Sequence, residues 1–379
     1  MPGPTWSKIK DKMADRASSP PSHILIIGAG VFGLSTALAL LKRPLYSSSR
    51  ITILDASPSL PNPFGSSVDS SRIVRADYAS KPYAALVLAA QQLWRDTSDE
   101  GWGGQGRYHE PGYVLTADAG AEDYVLQSLQ NVKSLAEQEG EEGTVRKKID
   151  GAKIEELSDR DAIKRATGYD EVSGDSGYAN WNSGWADAEA SVAYALRRVQ
   201  NEGQDRVQVR SGCPIEELLF DAAAKCIGAE IEGGEQVLAD LTILAAGAWS
   251  PSLVDLQGRC LATGQAMAYL DISEEEQQAL GGRPTVMNMS RGMFIIPPRG
   301  QKLKVARHGF GYRNPVRVRR RPNDQSQPQR EDDEVSVPKV GISIPAEAEE
   351  ACRQFLRELV PHMADRPFAR TRVCWYCDT

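Results

Sequence analysis

Six consecutive residues constrain this chain more than any other feature. Gly28, Ala29, Gly30, Val31, Phe32 and Gly33 form a G-x-G-x-x-G pattern directly after the apolar run His23 to Ile27. A short apolar run bounded by glycine suits a parallel strand covered on both faces. Val31 to Lys42 then reads as a helix rich in Ala and Leu, closed by Pro44, and Arg50 to Asp55 (RITILD) reads as the next strand. In such a βαβ unit the first glycine permits the tight turn. The second admits a pyrophosphate to the backbone, and the third lets helix and strand pack closely. Phosphates meet free N–H groups at the helix start, and an acid about 20 residues on accepts the ribose hydroxyls, the place of Asp55. The pattern predicts dinucleotide binding and leaves a nicotinamide or a flavin cofactor open.

The same stretch could be misread. Ile24 to Leu41 carries no charge, and Lys8, Lys10, Lys12 and Arg16 precede it, which superficially suits a secretory signal or a membrane span. The three spaced glycines and the lack of a clean cleavage site favour a buried strand and helix, so no membrane segment is expected. Residues 1–21, rich in Pro and Ser, read as a flexible tail.

Further along, Lys81 to Arg95 and 121–139 read as helices, with an acidic solvated loop around 137–143. Asp187 to Gln200 reads as a helix that Asp187 can cap. Val207 to Val209 and Ala239 to Ala246 resume a strand pattern, so the first sheet is interrupted by an insertion and later rejoined. Leu241 to Ser250 (LTILAAGAWS) is an apolar strand ending in small residues around Gly247. Such an end lets backbone pass close to a flat cofactor, or is simply the end of a strand. Residues 313–338, dense in charge of both signs with Pro and Gln, cannot bury much apolar surface and read as a disordered loop.

A formal net charge of −7 argues against a general nucleic-acid partner, since a polyanion is repelled. The six cysteines, Cys213, Cys226, Cys260, Cys352, Cys374 and Cys377, are too scattered for a disulfide framework and suit a reducing compartment. Cys374 and Cys377 form C-x-x-C, but a zinc site wants two more ligands at matching spacing and a redox motif an early strand. No metal is expected.

Three more segments, with the glycine fingerprint and the AAGAWS strand end, carry a resemblance. They are 65–75 (GSSVDSSRIVR) followed by Tyr78, 302–308 (KLKVARH) and 372–379 (RVCWYCDT). Together they resemble the sarcosine oxidase family of flavoprotein amine oxidases, in its fungal pipecolate, saccharopine and fructosyl-amino-acid oxidase branch. The resemblance implies an α/β fold: a Rossmann-like FAD-binding domain with an inserted α+β substrate domain on a mixed, largely antiparallel sheet. The implied layout is a tail at 1–21, FAD-binding parts at 22–97 and 188–263, and substrate-domain parts at 98–187 and 264–373. Residues 374–379 would begin a last FAD-binding segment. FAD contacts are implied at Gly28, Ala29, Gly30, Val31, Phe32, Gly33, Asp55, Ser71, Arg72, Ile215, Ala246, Gly247, Trp249 and Cys374.

The resemblance also assigns roles. Arg75 matches the arginine that pairs with the substrate carboxylate, a task suited to a bidentate guanidinium. Lys304 matches the lysine near the flavin that assists O₂ reduction, where a fixed cation stabilises developing negative charge. His308 matches an active-site histidine in some members. Cys374 matches the cysteine that tethers the flavin as a thioether. By residue type alone the two arginines and the lysine would be surface charges, His308 a structural histidine and Cys374 an inert buried thiol. The implied reaction oxidises the C–N bond of a secondary or N-substituted amino acid to an imine, with O₂ reduced to hydrogen peroxide, in a monomer of the cytoplasm or peroxisome.

Two departures accompany the resemblance. Val68 stands where some bacterial members have a histidine near the flavin. The family's chains continue past the segment matching Thr379 with another strand, a glycine-rich turn and a substrate-binding lysine. A truncated gene model, a fragment and an inactive, weakly flavin-binding remnant are the alternatives that follow, with poor solubility or loose FAD binding as their expected signs. A peroxisomal C-terminal tripeptide is also absent.

Overall fold

The computed structural model describes residues 19–137, 150–256, 258–318 and 334–378. They form two compact units, one from residues up to Asn62 with Ala195–Ala246, the other from Pro63–Tyr194 with Gly247–Thr379.

In the first unit four parallel strands lie in the order Leu241–Leu244, His23–Ile27, Arg50–Leu54, Val207–Arg210. Ile24 sits between Leu241 and Ile51, and Ile51 is in turn opposite Val207. The central strand, HILII, is buried along almost its whole length, as a strand covered on both faces must be. The helix Val31–Leu41 follows, capped at its end by Lys42. Asp240 fixes the start of the central strand by accepting the backbone N–H of Ser22 and of His23, each at 2.9 Å. A three-stranded antiparallel meander, Ile215–Phe220, Cys226–Ile231 and Glu235–Leu238, accompanies the sheet.

The second unit is built on an eight-stranded sheet. Its order is Arg370–Asp378, Leu261–Asp271, Lys302–Arg307, Met293–Arg299, Thr285–Asn288, Tyr113–Ala117, Ser176–Asn180, Ile154–Leu157. Every neighbouring pair is antiparallel except Thr285–Asn288 with Tyr113–Ala117. Side chains alternate across the pleat. Leu303, Val305, Ala266, Ala268, Leu270, Val373 and Trp375 enter one core, with Phe355 and Leu356 of the helix Ala346–Leu359. Met267, Tyr269, Ala306 and Cys374 face the other side and share a second core with Val125 and Val132 of the helix Asp123–Glu137. A separate three-stranded sheet places Arg72–Val74 beside Gly184–Ala186, with Tyr108–His109 on the far side.

This is the expected α/β class with a mixed, largely antiparallel sheet, but the divisions along the chain fall elsewhere. The first break comes after Asn62 rather than 97, because the helix Lys81–Trp94 packs Ala84 into the same core as Tyr113 and Leu115. Gly247, Trp249 and the strand Leu261–Asp271 belong to the second unit. So does Cys374, on an edge strand of the large sheet rather than at the start of a further segment. The charged stretch 313–338 is not without structure. Pro315–Arg317 pairs antiparallel with Glu334–Ser336, and the Ser336 hydroxyl donates to the Ala262 carbonyl at 2.7 Å. Backbone pairing does not depend on the apolar surface that the composition lacks. Residues 319–333, residues 1–18 of the tail and the acidic stretch beyond 137 lie outside the described residues.

Candidate active site

The glycine fingerprint folds as a turn with no room for a side chain at Gly28 or Gly33. Gly28 has φ +109°, and a Cβ there would lie 2.4 Å from the Ala245 carbonyl oxygen. A Cβ on Gly33 would lie 1.8 Å from the Gly28 carbonyl oxygen, so the helix sits against the turn as the third glycine requires. The helix starts at Gly30 with no side-chain cap and no acidic residue in its first turn, which leaves its positive end for an anion. Val31 and Phe32 turn outward, Phe32 being 77% exposed. Asp55 lies just past its strand and closes the turn. One carboxylate oxygen accepts from the Ala29 N–H at 2.9 Å, the other from the Ser57 N–H at 2.9 Å and Asn62 Nδ2 at 3.3 Å. A carboxylate oxygen accepts more than one bond, so the first oxygen keeps capacity for a hydroxyl. Small residues, an uncapped helix and a positioned acid fit a dinucleotide cofactor. Ala246 stands beside this turn, its Cα 3.3 Å from where a Gly28 Cβ would be, while Ile215 opens the meander and pairs with Ile231.

The second unit gathers Lys304, Ser71 and Arg72 around one carboxylate, that of Asp69, with Cys374 joined through Arg72. Lys304 is an even member of its strand, so the pleat turns it away from Leu303 and Val305 to the face shared by Tyr269, its partner in register. Its ammonium donates to Asp69 Oδ2 at 2.7 Å and to the Ser71 carbonyl at 2.8 Å. Both ends of the ion pair are almost fully buried, with 2% and 3% of the side chains exposed. Asp69 also accepts from the Tyr269 hydroxyl at 2.6 Å and pairs with Arg72 at 3.1 Å. Burial alone would raise the carboxyl, but Lys304 and Arg72 together hold it well below the usual carboxylate range. For Lys304 burial wins over the attraction of Asp69, with Arg72 adding repulsion, and its pKa falls to about 8. Arg72 donates to the Ser66 carbonyl at 3.1 Å and to Cys374 Sγ at 3.0 Å. Arg372 reaches the same sulfur at 3.6 Å and fixes the Val68 carbonyl at 3.2 Å.

Arg75 follows the short strand of Arg72. Its guanidinium lies 4.4 Å from the Tyr78 ring centre and 5.2 Å from that of Tyr113. Its Nη1 is buried with no hydrogen-bond partner, and among the described residues it forms no ion pair. Burial works against its charge, but the surrounding Tyr113, Tyr78 and Tyr124 and the carboxyl of Asp77 more than compensate, so it stays a cation. Asp77 is fully buried and accepts from Ser183 Oγ at 2.7 Å and Asn180 Nδ2 at 3.0 Å. Burial pushes its carboxyl up, against the pull of Arg75. His308 directly follows the strand of Lys304, with its ring 5.6 Å from that of Tyr376. Surrounding protein and, against the pull of Asp378, the nearby Arg75 charge lower its pKa, which favours the neutral imidazole although solvent reaches it.

Comparison with known proteins agrees with this chemistry. Residues 23–379 match the family described as FAD dependent oxidoreductase. The chain belongs to that family. Its cofactor is FAD, and it is an FAD-dependent oxidase by kinship. The oxidoreductase is 32% identical to amino acid oxidase imqH of Aspergillus flavus, over 95% of this chain and 84% of that one. It is 26% identical to L-saccharopine oxidase of Schizosaccharomyces pombe, over 94% of this chain and 80% of the relative. The solved structure of fructosyl amine:oxygen oxidoreductase (Amadoriase I) from Aspergillus fumigatus superposes with a TM-score of 0.72 at 26% identity. That match covers 96% of this chain and 77% of the other.

In the oxidoreductase, Lys304, Arg72, Ser71 and Cys374 form one connected cluster, while Arg75 and His308 are linked to each other electrostatically. Gly247 and Trp249 form a short turn of helix that belongs to the second unit, whereas the fingerprint belongs to the first. Cys374 and Cys377, three apart on a strand, face opposite ways: Cys374 is buried and Cys377 exposed. They therefore cannot act as one C-x-x-C site. Sequence reasoning missed Asp69, Tyr269 and Asp77. Asp69 stands inside the 65–75 segment, and an acid three residues before an arginine was the available signal. Among the described residues no group of three metal-binding side chains occurs, and no helix is long and apolar enough to cross a membrane.

Proposed function

We propose that the oxidoreductase oxidises the C–N bond of a secondary or N-substituted amino acid to an imine, with O₂ reduced to hydrogen peroxide. The observation that carries this reading is Arg75: a buried guanidinium with one unpartnered nitrogen, flanked by Tyr78 and Tyr113, is built to receive an anion. A carboxylate there would replace a bond the protein itself does not make. The names of two relatives, an L-saccharopine oxidase and a fructosyl amine oxidoreductase, point to a substituted nitrogen beside it.

Bound FAD supplies the two-electron acceptor for such a reaction. Gly28, Gly30 and Gly33 would hold its pyrophosphate and Asp55 its ribose, and Ser71, Arg72 and Cys374 would stand on the flavin side. Arg75 binds the substrate carboxylate and orients the carbon that loses hydride. His308, whose lowered pKa favours the neutral ring, can accept a hydrogen bond without repelling Arg75. Lys304 provides a fixed cation where negative charge develops, and with a pKa near 8 it can also give up a proton.

The test is direct. Purified protein carrying flavin is assayed for peroxide with a panel of N-substituted amino acids, alongside Lys304→Met. Peroxide from at least one substrate, and a fall in the rate of flavin reoxidation on the order of 10² to 10³ in the variant, is expected. Flavin-bearing protein that yields none, or a variant that reoxidises like the parent, would overturn the reading.

A further inference from the structure

Outside this site, two thiols meet at the end of the large sheet. Cys260 Sγ and Cys377 Sγ lie 2.6 Å apart, 117 residues distant in sequence. The strand Arg370–Asp378 is an edge strand, paired among the described residues only with Leu261–Asp271. Ala262 is opposite Cys377 in that ladder, and Cys260 lies two residues before Ala262. The two cysteines are thus diagonal neighbours across the pair, within reach of each other's side chains. Cys377 is exposed and Cys260 partly so, which opens the pair to a small oxidant. The same edge strand carries Cys374 and Tyr376, and Cys374 accepts hydrogen bonds from Arg72 and Arg372.

We propose that Cys260 and Cys377 are a peroxide-sensitive modification site that closes to a disulfide and staples the edge strand bearing Cys374 to the neighbouring strand Leu261–Asp271. The exposed Cys377 thiolate attacks one oxygen of the peroxide, the O–O bond breaks, and Cys377 becomes a sulfenic acid as hydroxide leaves. The Cys260 sulfur then attacks the Cys377 sulfur, the S–O bond breaks, and the departing hydroxide takes the Cys260 proton as water. Both sulfurs are oxidised by one electron each and one peroxide is reduced. Cys377 is exposed and Cys260 only partly so, which makes Cys377 the attacking and Cys260 the resolving partner; burial and the neighbouring Cys377 push the Cys260 thiol up. The staple needs no turnover by the enzyme, so it stands or falls separately from the proposed activity.

The experiment uses the full chain, treated with hydrogen peroxide or with dithiothreitol, then alkylated and digested for peptide mass spectrometry. The expected result is a peptide pair linked through Cys260 and Cys377 only in the peroxide sample, with Cys213, Cys226 and Cys352 alkylated in both. The oxidised protein should also melt higher, by on the order of 5 °C, and Cys377→Ser should abolish that difference. In Cys260→Ser a sulfenic acid should accumulate on Cys377 and react with dimedone. Alkylation of both thiols after peroxide, a disulfide-linked dimer through Cys377, or equal melting of the two forms would overturn the proposal.

Discussion

Replacing Asp69 by Asn removes the charge that Lys304, Arg72 and Tyr269 share while keeping the shape of the side chain. Breaking a buried ion pair by removing one partner costs about 3–5 kcal/mol, because the remaining charge is left uncompensated. Lys304 has a way to relieve this. Its pKa already stands at about 8 against an ordinary 10.5, and without Asp69 burial and Arg72 act downward against only the smaller upward pull of Cys374. The variant's lysine therefore sheds its proton at a lower pH than the parent's. Each pKa unit by which it falls adds about 1.4 kcal/mol to the penalty at low pH. The sign follows from linkage. Below the variant's lysine pKa both folded proteins hold the proton and the penalty is full. As pH rises towards 8 the variant has already lost its unfavourable proton while the parent still holds one, and the penalty shrinks. Above about 8 both lysines are neutral and it reaches its floor. Urea unfolding of both proteins at pH 6, 7, 8 and 9 measures this. A penalty of several kcal/mol at pH 6 should lose about 1–3 kcal/mol by pH 9. A penalty that is flat across that range, or that grows with pH, would refute the claim that Asp69 holds the Lys304 charge in place.

Arg75→Lys should lower kcat/KM on the order of a hundredfold for a carboxylate-bearing substrate, since an ammonium cannot grip it bidentately. The matching amine without a carboxylate should be processed equally by both proteins, and an equal loss on both substrates would show that Arg75 does not read the carboxylate. Cys374→Ser should leave flavin colour in the supernatant after acid precipitation, where the parent keeps it in the pellet. Flavin that stays with the precipitated variant, or leaves the precipitated parent, would remove Cys374 from the tethering role.

What could be read from the sequence was whatever is written in local order. Gly28, Gly30 and Gly33 lie within six residues, and the turn they form depends on little beyond the flanking strand and helix. The Lys304 cluster is different. Its key carboxylate, Asp69, lies 235 residues from the lysine it holds. Only the pairing of Leu261–Asp271 with Lys302–Arg307 and the fold of the 65–75 segment bring them together. The C-x-x-C of Cys374 and Cys377 was set aside for want of further ligands and an early strand, and the strand adds a geometric reason, since an odd separation divides two side chains between faces. The ends of the charged stretch 313–338 were misjudged. Composition reports on side chains, whereas Pro315–Arg317 and Glu334–Ser336 are joined through their backbones.

The order of strands in the first unit also sets a schedule for synthesis. His23–Ile27 lies between Arg50–Leu54 and Leu241–Leu244. The first neighbour leaves the ribosome almost at once, but the second follows more than 200 residues later. At roughly 5–20 residues per second, that strand waits on the order of 10–40 s with one side unpaired. The nascent chain thus carries an apolar, half-finished sheet through about half of the sequence's synthesis, a state prone to pairing with other chains. Yield in a foreign host should accordingly respond more to chaperone supply and to slower, cooler expression than to any single stabilising substitution in the finished protein.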